Sequence, residues 1–159
     1  MPRILVLCTH NSARSQMAEG WIRHHAAGHR VDCDVWSAGS ERTALKPEAI
    51  AVMREVGVDL AGHTSKSIDE VPDPWSFDLV ITVCDAANDA CPAYPAPTER
   101  LHVSFPDPSD QPIERWRVVR DAIGAMSEEL VATLADGGAL RHDALRARAN
   151  LEEDAHGDR

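Results

Sequence analysis

Four consecutive aliphatic residues, Ile4, Leu5, Val6 and Leu7, stop at the polar segment Cys8-Thr9-His10-Asn11-Ser12-Ala13-Arg14-Ser15, and Met17, Ala18, Trp21, Ile22 and Ala26 then recur at helical spacing. A short aliphatic run that meets polar residues and then a 3.6-residue period reads as a buried strand turning through a loop into a helix. A chain that begins this way is committed to strands alternating with helices. Such alternation implies right-handed crossovers and an open parallel sheet.

The rest of the chain repeats the pattern. The first helix is expected to run to about residue 27, with Gly28 as its stop. His24, His25 and His29 gather at its end, where the helix dipole favours positive charge, and Gly28 weakens any metal-binding pairing of His25 with His29. Val31, Cys33 and Val35 alternate with Asp32 and Asp34, a strand with one buried face that makes Cys33 a buried structural thiol. Pro47 opens a second helix carrying Ile50, Met53 and Val56, and Gly57 closes it. A short helical piece is expected over residues 65–71, stopped by Pro72 and Pro74.

Residues 77–83 form a continuous apolar strand suited to a sheet covered on both faces, and Cys84 follows at once. Cys91 comes seven residues later, and Pro92 closes the segment. Residues 100–105 give a last strand, with Leu101, Val103 and Phe105 on one side, running into the rigid turn Pro106-Asp107-Pro108. Ile113, Trp116, Val119, Ile123, Met126, Leu130 and Leu134 make a long helical stripe ended by Gly137-Gly138. Beyond it the charged residues carry only a thin stripe of Leu140, Ala144, Ala147 and Leu151, a frayed helix or a disordered tail. The expected organisation is one domain over residues 1–138 and a charged C-terminal helix or tail over residues 139–159.

The opening loop is where chemistry is expected. Cys8 and Arg14 have five residues between them, so a loop curling round an anion points backbone N–H groups, a helix N-terminus and the Arg14 guanidinium at one spot. The same groups favour the thiolate of Cys8 and make it a nucleophile. Asn11 tolerates left-handed backbone angles, and Ser12 and Ser15 offer hydroxyls. A lone cysteine at a strand end is equally well a small buried hydrophobe; the strand-to-helix context and the polar filling favour function.

The totals narrow the choice of partners. A net charge of -10 argues against nucleic acid and anionic membrane surfaces. It leaves a small oxyanion possible, because salt screens fields beyond about 8 Å whereas the loop acts at hydrogen-bond distance. The length of 159 residues suits one domain, and the N-terminal apolar run is too short for a signal peptide. The expectation is a cytoplasmic monomer, with no membrane partner, whose four cysteines serve transient or catalytic chemistry more than structural disulfides.

Residues 8–19, Cys-Thr-His-Asn-Ser-Ala-Arg-Ser-Gln-Met-Ala-Glu, resemble the anion loop of the low-molecular-weight phosphotyrosine phosphatase fold. Their end, Ser15-Gln16-Met17-Ala18-Glu19, is similar to the thioredoxin-coupled arsenate reductases built on that fold. So is Val80-Ile81-Thr82-Val83-Cys84 together with Cys91-Pro92, which resembles their redox pair, and Ser104-Phe105-Pro106-Asp107-Pro108 looks like the general-acid loop. The resemblance extends over residues 2–136 and leaves the tail uncovered.

It implies an α/β fold: a three-layer open parallel four-stranded sheet of order 2-1-3-4 with helices on both faces. Ligands in such sheets lie beyond the carboxyl ends of the strands where the order reverses, here between the first and third strands. Cys8, Cys84 and Asp107 each follow a strand and would converge there. The implied activity is reduction of arsenate to arsenite: Thr9 to Ser15 cradle the substrate, Arg14 holds its oxygens, Cys8 attacks, and Asp107 protonates the leaving hydroxyl. Cys84 and Cys91 then carry the electrons to a disulfide that thioredoxin reduces. Phosphate and sulfate are the competing oxyanions, and no cofactor or resident metal is implied.

The alternative is a phosphatase of the same fold working through a phosphocysteine. Further rivals are a glutaredoxin-coupled reductase that leaves Cys91 idle and a non-enzymatic arsenic-binding regulator. Two departures stand out: His10 occupies a place where many of the family's loops have Gly, and Lys66 stands where an acid would complete the potassium site some members form with Asn and acidic residues.

Overall fold

The computed structural model describes residues 1–84 and 94–149; Asp85, Asp89 and Cys91 therefore lie outside the described residues. Strands β1 (Arg3–Leu7), β2 (Asp34–Ala38), β3 (Leu79–Thr82) and β4 (Glu99–His102) form one parallel sheet of order β2-β1-β3-β4. This is the expected order, with β1 and β3 at its centre. β1 is buried on both faces, which is why its sequence is continuously aliphatic. Connections from β1 go first to β2 on one side and then to β3 on the other, so the loops after β1 and β3 part and leave a crevice at the carboxyl edge.

Helices α1 (Arg14–His29), α2 (Pro47–Glu55) and α3 (Ile113–Asp136) cover one face, burying Met17, Ile22, Val52, Met53, Trp116, Ile123 and Leu130 against Ile4, Val6 and Ile81. The 3-10 turn Ile68–Glu70, closed by a capping box between Ser67 and Glu70, lies on the other face. There Val71, Phe77 and Tyr94 complete a second core with Leu5, Leu7 and Val80.

Boundaries shift where tertiary contacts override local signals. α1 runs through Gly28 and stops at Arg30, which adopts a left-handed φ of 57° while its amide and that of Val31 close onto Ala27 and Ala26. A Cβ at Gly28 would meet nothing within 4 Å, so that glycine has no reason to end the helix. β2 begins at Asp34 because pairing begins there: Asp34 sits opposite Arg3 and accepts from its Nε at 3.0 Å. Cys33 is left half-buried just before the strand, and burial pushes its thiol up. α3 ends at Gly137, whose φ of 71° suits a residue without a Cβ.

Past α3 the charged segment contains helix α4 (His142–Arg148). Leu145 is buried in the main core, Arg146 Nε donates to the His102 carbonyl of edge strand β4 at 2.9 Å, and His142 meets Glu99 at 3.0 Å. Arg148 reaches Glu128 and Glu129 of α3 at 3.0 and 3.1 Å. Among the described residues no helix is long and apolar enough to cross a membrane.

Candidate active site

The loop from Cys8 to α1 is shaped from outside. The Thr9 carbonyl accepts from the Ser40 amide (3.0 Å) and hydroxyl (3.1 Å), the His10 carbonyl from Thr43 and Ser65 hydroxyls (both 3.1 Å), and the Asn11 carbonyl from Gln16 Nε2 (3.2 Å). The Ser12 carbonyl accepts from the Lys46 amide and the Ala13 carbonyl from Met17, both at 2.9 Å. In a planar trans peptide the N–H points opposite the C=O. Five carbonyls turned into the scaffold therefore turn the amides of His10 to Arg14 toward the concave side, the arrangement that binds a tetrahedral oxyanion.

Asn11 is the keystone of that curve, with φ at 52°. Its Oδ1 accepts from Gln16 Nε2 and the Lys66 amide, both at 2.9 Å, which fixes its amide so that Nδ2 donates to Ser15 Oγ at 2.8 Å. Ser15 Oγ lies 3.0 Å from Cys8 Sγ. Because that oxygen already accepts from Asn11, its own proton is available to the sulfur. Gln16 also donates to the Thr64 carbonyl at 2.9 Å and contacts His63 Nδ1 through Oε1 at 3.1 Å, so this network reaches the far side of α1.

Arg14 is buried at the start of α1, and its Nη1 donates to the Phe105 carbonyl at 3.0 Å. Its Nη2 lies 3.7 Å from Asp107 Oδ2. Burial pushes the Asp107 carboxyl up, but the Ser109 amide, which donates at 3.0 Å, the Ser109 hydroxyl, Arg14 and Lys46 together hold it below the ordinary carboxylate range. Cys8, Arg14 and Asp107 border one cavity of about 150 Å³, with His10, Ser12, Ala13, Lys46 and Ser109. His10 is on its rim, with Nε2 2.9 Å from Glu41 Oε1.

Cys84 stands at the same carboxyl edge. Leu7 pairs with Thr82, and the Val83 amide donates to the Leu7 carbonyl at 3.0 Å, so Cys8 and Val83 are level on neighbouring strand ends and Cys84 is one residue on. Both Cys8 and Cys84 are buried in the core cluster on the helical side of the sheet.

Several residues that shape the site carried no chemical signal in the sequence. Gly39, in a Ser-Ala-Gly break that reads as scaffold, backs onto the loop so closely that a Cβ would come within 2.6 Å of the Thr9 carbonyl oxygen. Gln16 and Lys46 act through tertiary bonds that spacing does not reveal; the lone hint was their placement beside the loop and before Pro47. Near Asn11 and Glu19 the donor set does not fit a potassium ion. Glu19 accepts from the Ser37 hydroxyl at 2.6 Å and pairs with Arg23 at 3.1 Å, while the Lys66 ammonium donates to the Thr64 carbonyl at 3.0 Å.

Residues 3–139 match the family described as low molecular weight phosphotyrosine protein phosphatase. The chain belongs to this family. A curated arsenate reductase of Halalkalibacterium halodurans is 43% identical over 129 residues, covering 76% of this chain and 88% of its own length. A solved arsenate reductase in the phosphate binding state shares 34% identity at a TM-score of 0.70, covering 84% of this chain and 98% of that one. A thioredoxin-dependent arsenate reductase of Corynebacterium glutamicum shares 26% identity at a TM-score of 0.65, covering 86% of this chain and 63% of that one. α4 lies past the residues that the family match spans.

Proposed function

We propose that this member of the family is an arsenate reductase that passes electrons through three cysteines to thioredoxin. Arsenate sits in the loop with its oxygens on the amides of residues 10–14 and on Arg14, which stabilise the charge that builds in the transition state. Cys8 attacks arsenic and an As–O bond breaks, the leaving oxygen taking a proton from Asp107. An oxyanion bound beside Asp107 adds negative charge that opposes the Arg14 and Lys46 part of the hold on its carboxyl and so favours the proton-donor form.

The sulfur of Cys84 then attacks the sulfur of the Cys8 adduct. The S–As bond breaks with both electrons going to arsenic, which leaves as arsenite, and a Cys8–Cys84 disulfide remains. Cys91 attacks this bond at Cys84, freeing Cys8, and the resulting Cys84–Cys91 disulfide takes two electrons from the thioredoxin dithiol. The observation that carries the reading is the pairing of β1 with β3, which sets Cys84 one residue beyond the level of Cys8 on the adjacent strand end. Adjacent strands are about 5 Å apart, close to the Cα separation of a disulfide.

A second reading, an aryl phosphatase, is favoured by the family itself and by the same cradle and Asp107. Arsenate-dependent NADPH oxidation, coupled through thioredoxin and its reductase, decides between them when run on the native chain and on Cys8→Ser, Cys84→Ser and Cys91→Ser. Loss of turnover in all three, with aryl phosphate hydrolysis retained in Cys84→Ser, is the expected result. Undiminished arsenate turnover in Cys84→Ser would overturn the relay.

A further inference from the structure

We infer that Lys46 is a second cationic substrate contact, meeting the outward-facing oxygens of the tetrahedral oxyanion that Arg14 and the loop hold from beneath. The inference rests on the reading of this cavity as an oxyanion site and deepens it. Lys46 is held at the rim by two restraints. Its amide donates to the Ser12 carbonyl at 2.9 Å, joining it to the middle of the loop. The proline that follows confines its backbone to the extended region, where it is found at φ -70° and ψ 132°. From that anchor Lys46 borders the same cavity as Cys8, Arg14 and Asp107, and its charge is felt by the Asp107 carboxyl.

The charge balance of the cavity gives this residue its role. Arg14 contributes one positive charge, with the Asp107 carboxylate 3.7 Å from its guanidinium. His10 on the rim lies 2.9 Å from Glu41. Among the described residues that border the cavity, Arg14 and Lys46 are the two with a fixed positive charge. Loop amides bring dipoles and no net charge, so in a chain with a net charge of -10 this lysine adds a full positive charge to what a phosphate or arsenate dianion meets at the cavity. A compact ammonium on a flexible stem acts on the anion as a point charge, leaving bidentate recognition to the guanidinium.

Equilibrium binding of inorganic phosphate, followed by calorimetry under reducing conditions, tests this without any redox step. Lys46→Gln is expected to weaken phosphate binding about tenfold, the size of a partly exposed charge-assisted contact. It should also flatten the salt dependence of binding, whereas Lys46→Arg stays within about threefold of native. Thermal unfolding of each variant confirms that it is folded. Native affinity in Lys46→Gln, with binding lost in Arg14→Gln, overturns the inference and leaves the oxyanion reading intact. Native affinity in Arg14→Gln overturns the oxyanion reading itself.

Discussion

Gly39→Ala is the substitution that best isolates loop shape from loop chemistry, because it adds one methyl group behind the cradle and touches no group proposed to react. The added carbon would lie 2.6 Å from the Thr9 carbonyl oxygen, 2.9 Å from the Asn11 nitrogen and 3.0 Å from the His10 carbonyl carbon. All three are backbone atoms, so no side chain can rotate away. Gly39 itself is fixed by its amide on the Lys66 carbonyl (2.9 Å) and by the Ile68 amide on its own carbonyl (3.0 Å). The loop must therefore retreat by about 0.8 Å to bring the closest atom to ordinary contact at 3.4 Å.

Overpacking of this kind costs ~1–3 kcal/mol of stability. A displacement approaching 1 Å at a reacting group costs on the order of 100-fold in rate. Arsenate turnover with thioredoxin is thus expected to fall by about two orders of magnitude in kcat/KM, with phosphate binding weakened in parallel and a moderate drop in Tm. Native kcat/KM in a variant of unchanged Tm would show that the loop is held by something other than the contacts described, and would refute the reasoning.

Asn11→Ala removes the acceptor used by Gln16 and the Lys66 amide and the donor that orients Ser15, and places Ala at a left-handed position. The two orphaned donors and the backbone strain together cost ~2–4 kcal/mol, read by urea denaturation, and arsenate kcat/KM falls at least about tenfold. Glu55 on α2 is held down to about 2 from its ordinary 4.5, first by the Arg117 hydrogen bond at 2.8 Å and also by Arg120 at 2.7 Å, against some burial. A carboxyl depressed on folding stabilises the protein above its unfolded value and loses that effect as pH falls through the folded one. The Tm gap between native protein and Glu55→Gln is therefore expected to be full at pH 7 and to close between pH 4.5 and about 2; a gap independent of pH would contradict it.

The sheet was legible because its central strands are buried on both faces and so must be aliphatic throughout, as in Ile4 to Leu7 and Leu79 to Ile81. Element ends were harder to read. Gly28 is a strong stop by propensity, yet α1 continues because Val31 and Arg30 can close the helix on Ala26 and Ala27 with Arg30 in the left-handed region. The start of β2 depends on Arg3 pairing with Asp34, a contact made across 31 residues and invisible to any local period. The thin Leu140, Ala144 stripe of the tail gave no hint that Leu145 enters the main core while Arg146 caps the edge strand.

Within the site, what could be read was the chemistry of the groups proposed to react; what could not was the chemistry that holds them. Cys8 and Asp107 announce themselves because each follows a strand, and Arg14 because five residues separate it from Cys8 across a strand-to-helix loop. The residues that hold them do so with backbone or amide groups that every sequence contains. Lys66 positions Asn11 through its main-chain amide and Lys46 positions Ser12 through its own, so neither identity follows from the bond it makes. Gly39 is the opposite case, since its role is to lack an atom, and a missing Cβ becomes informative only once the Thr9 carbonyl is seen 2.6 Å from where it would be. The tuning of Asp107 follows the same logic. Its carboxyl sits low because Ser109, Arg14 and Lys46 converge on it from two other segments and from its own turn, and an oxyanion seated among them cancels the cationic share of that hold. In the proposed mechanism, substrate binding and proton donation are then one electrostatic event: the charge that fills the cradle would ready the acid beside it.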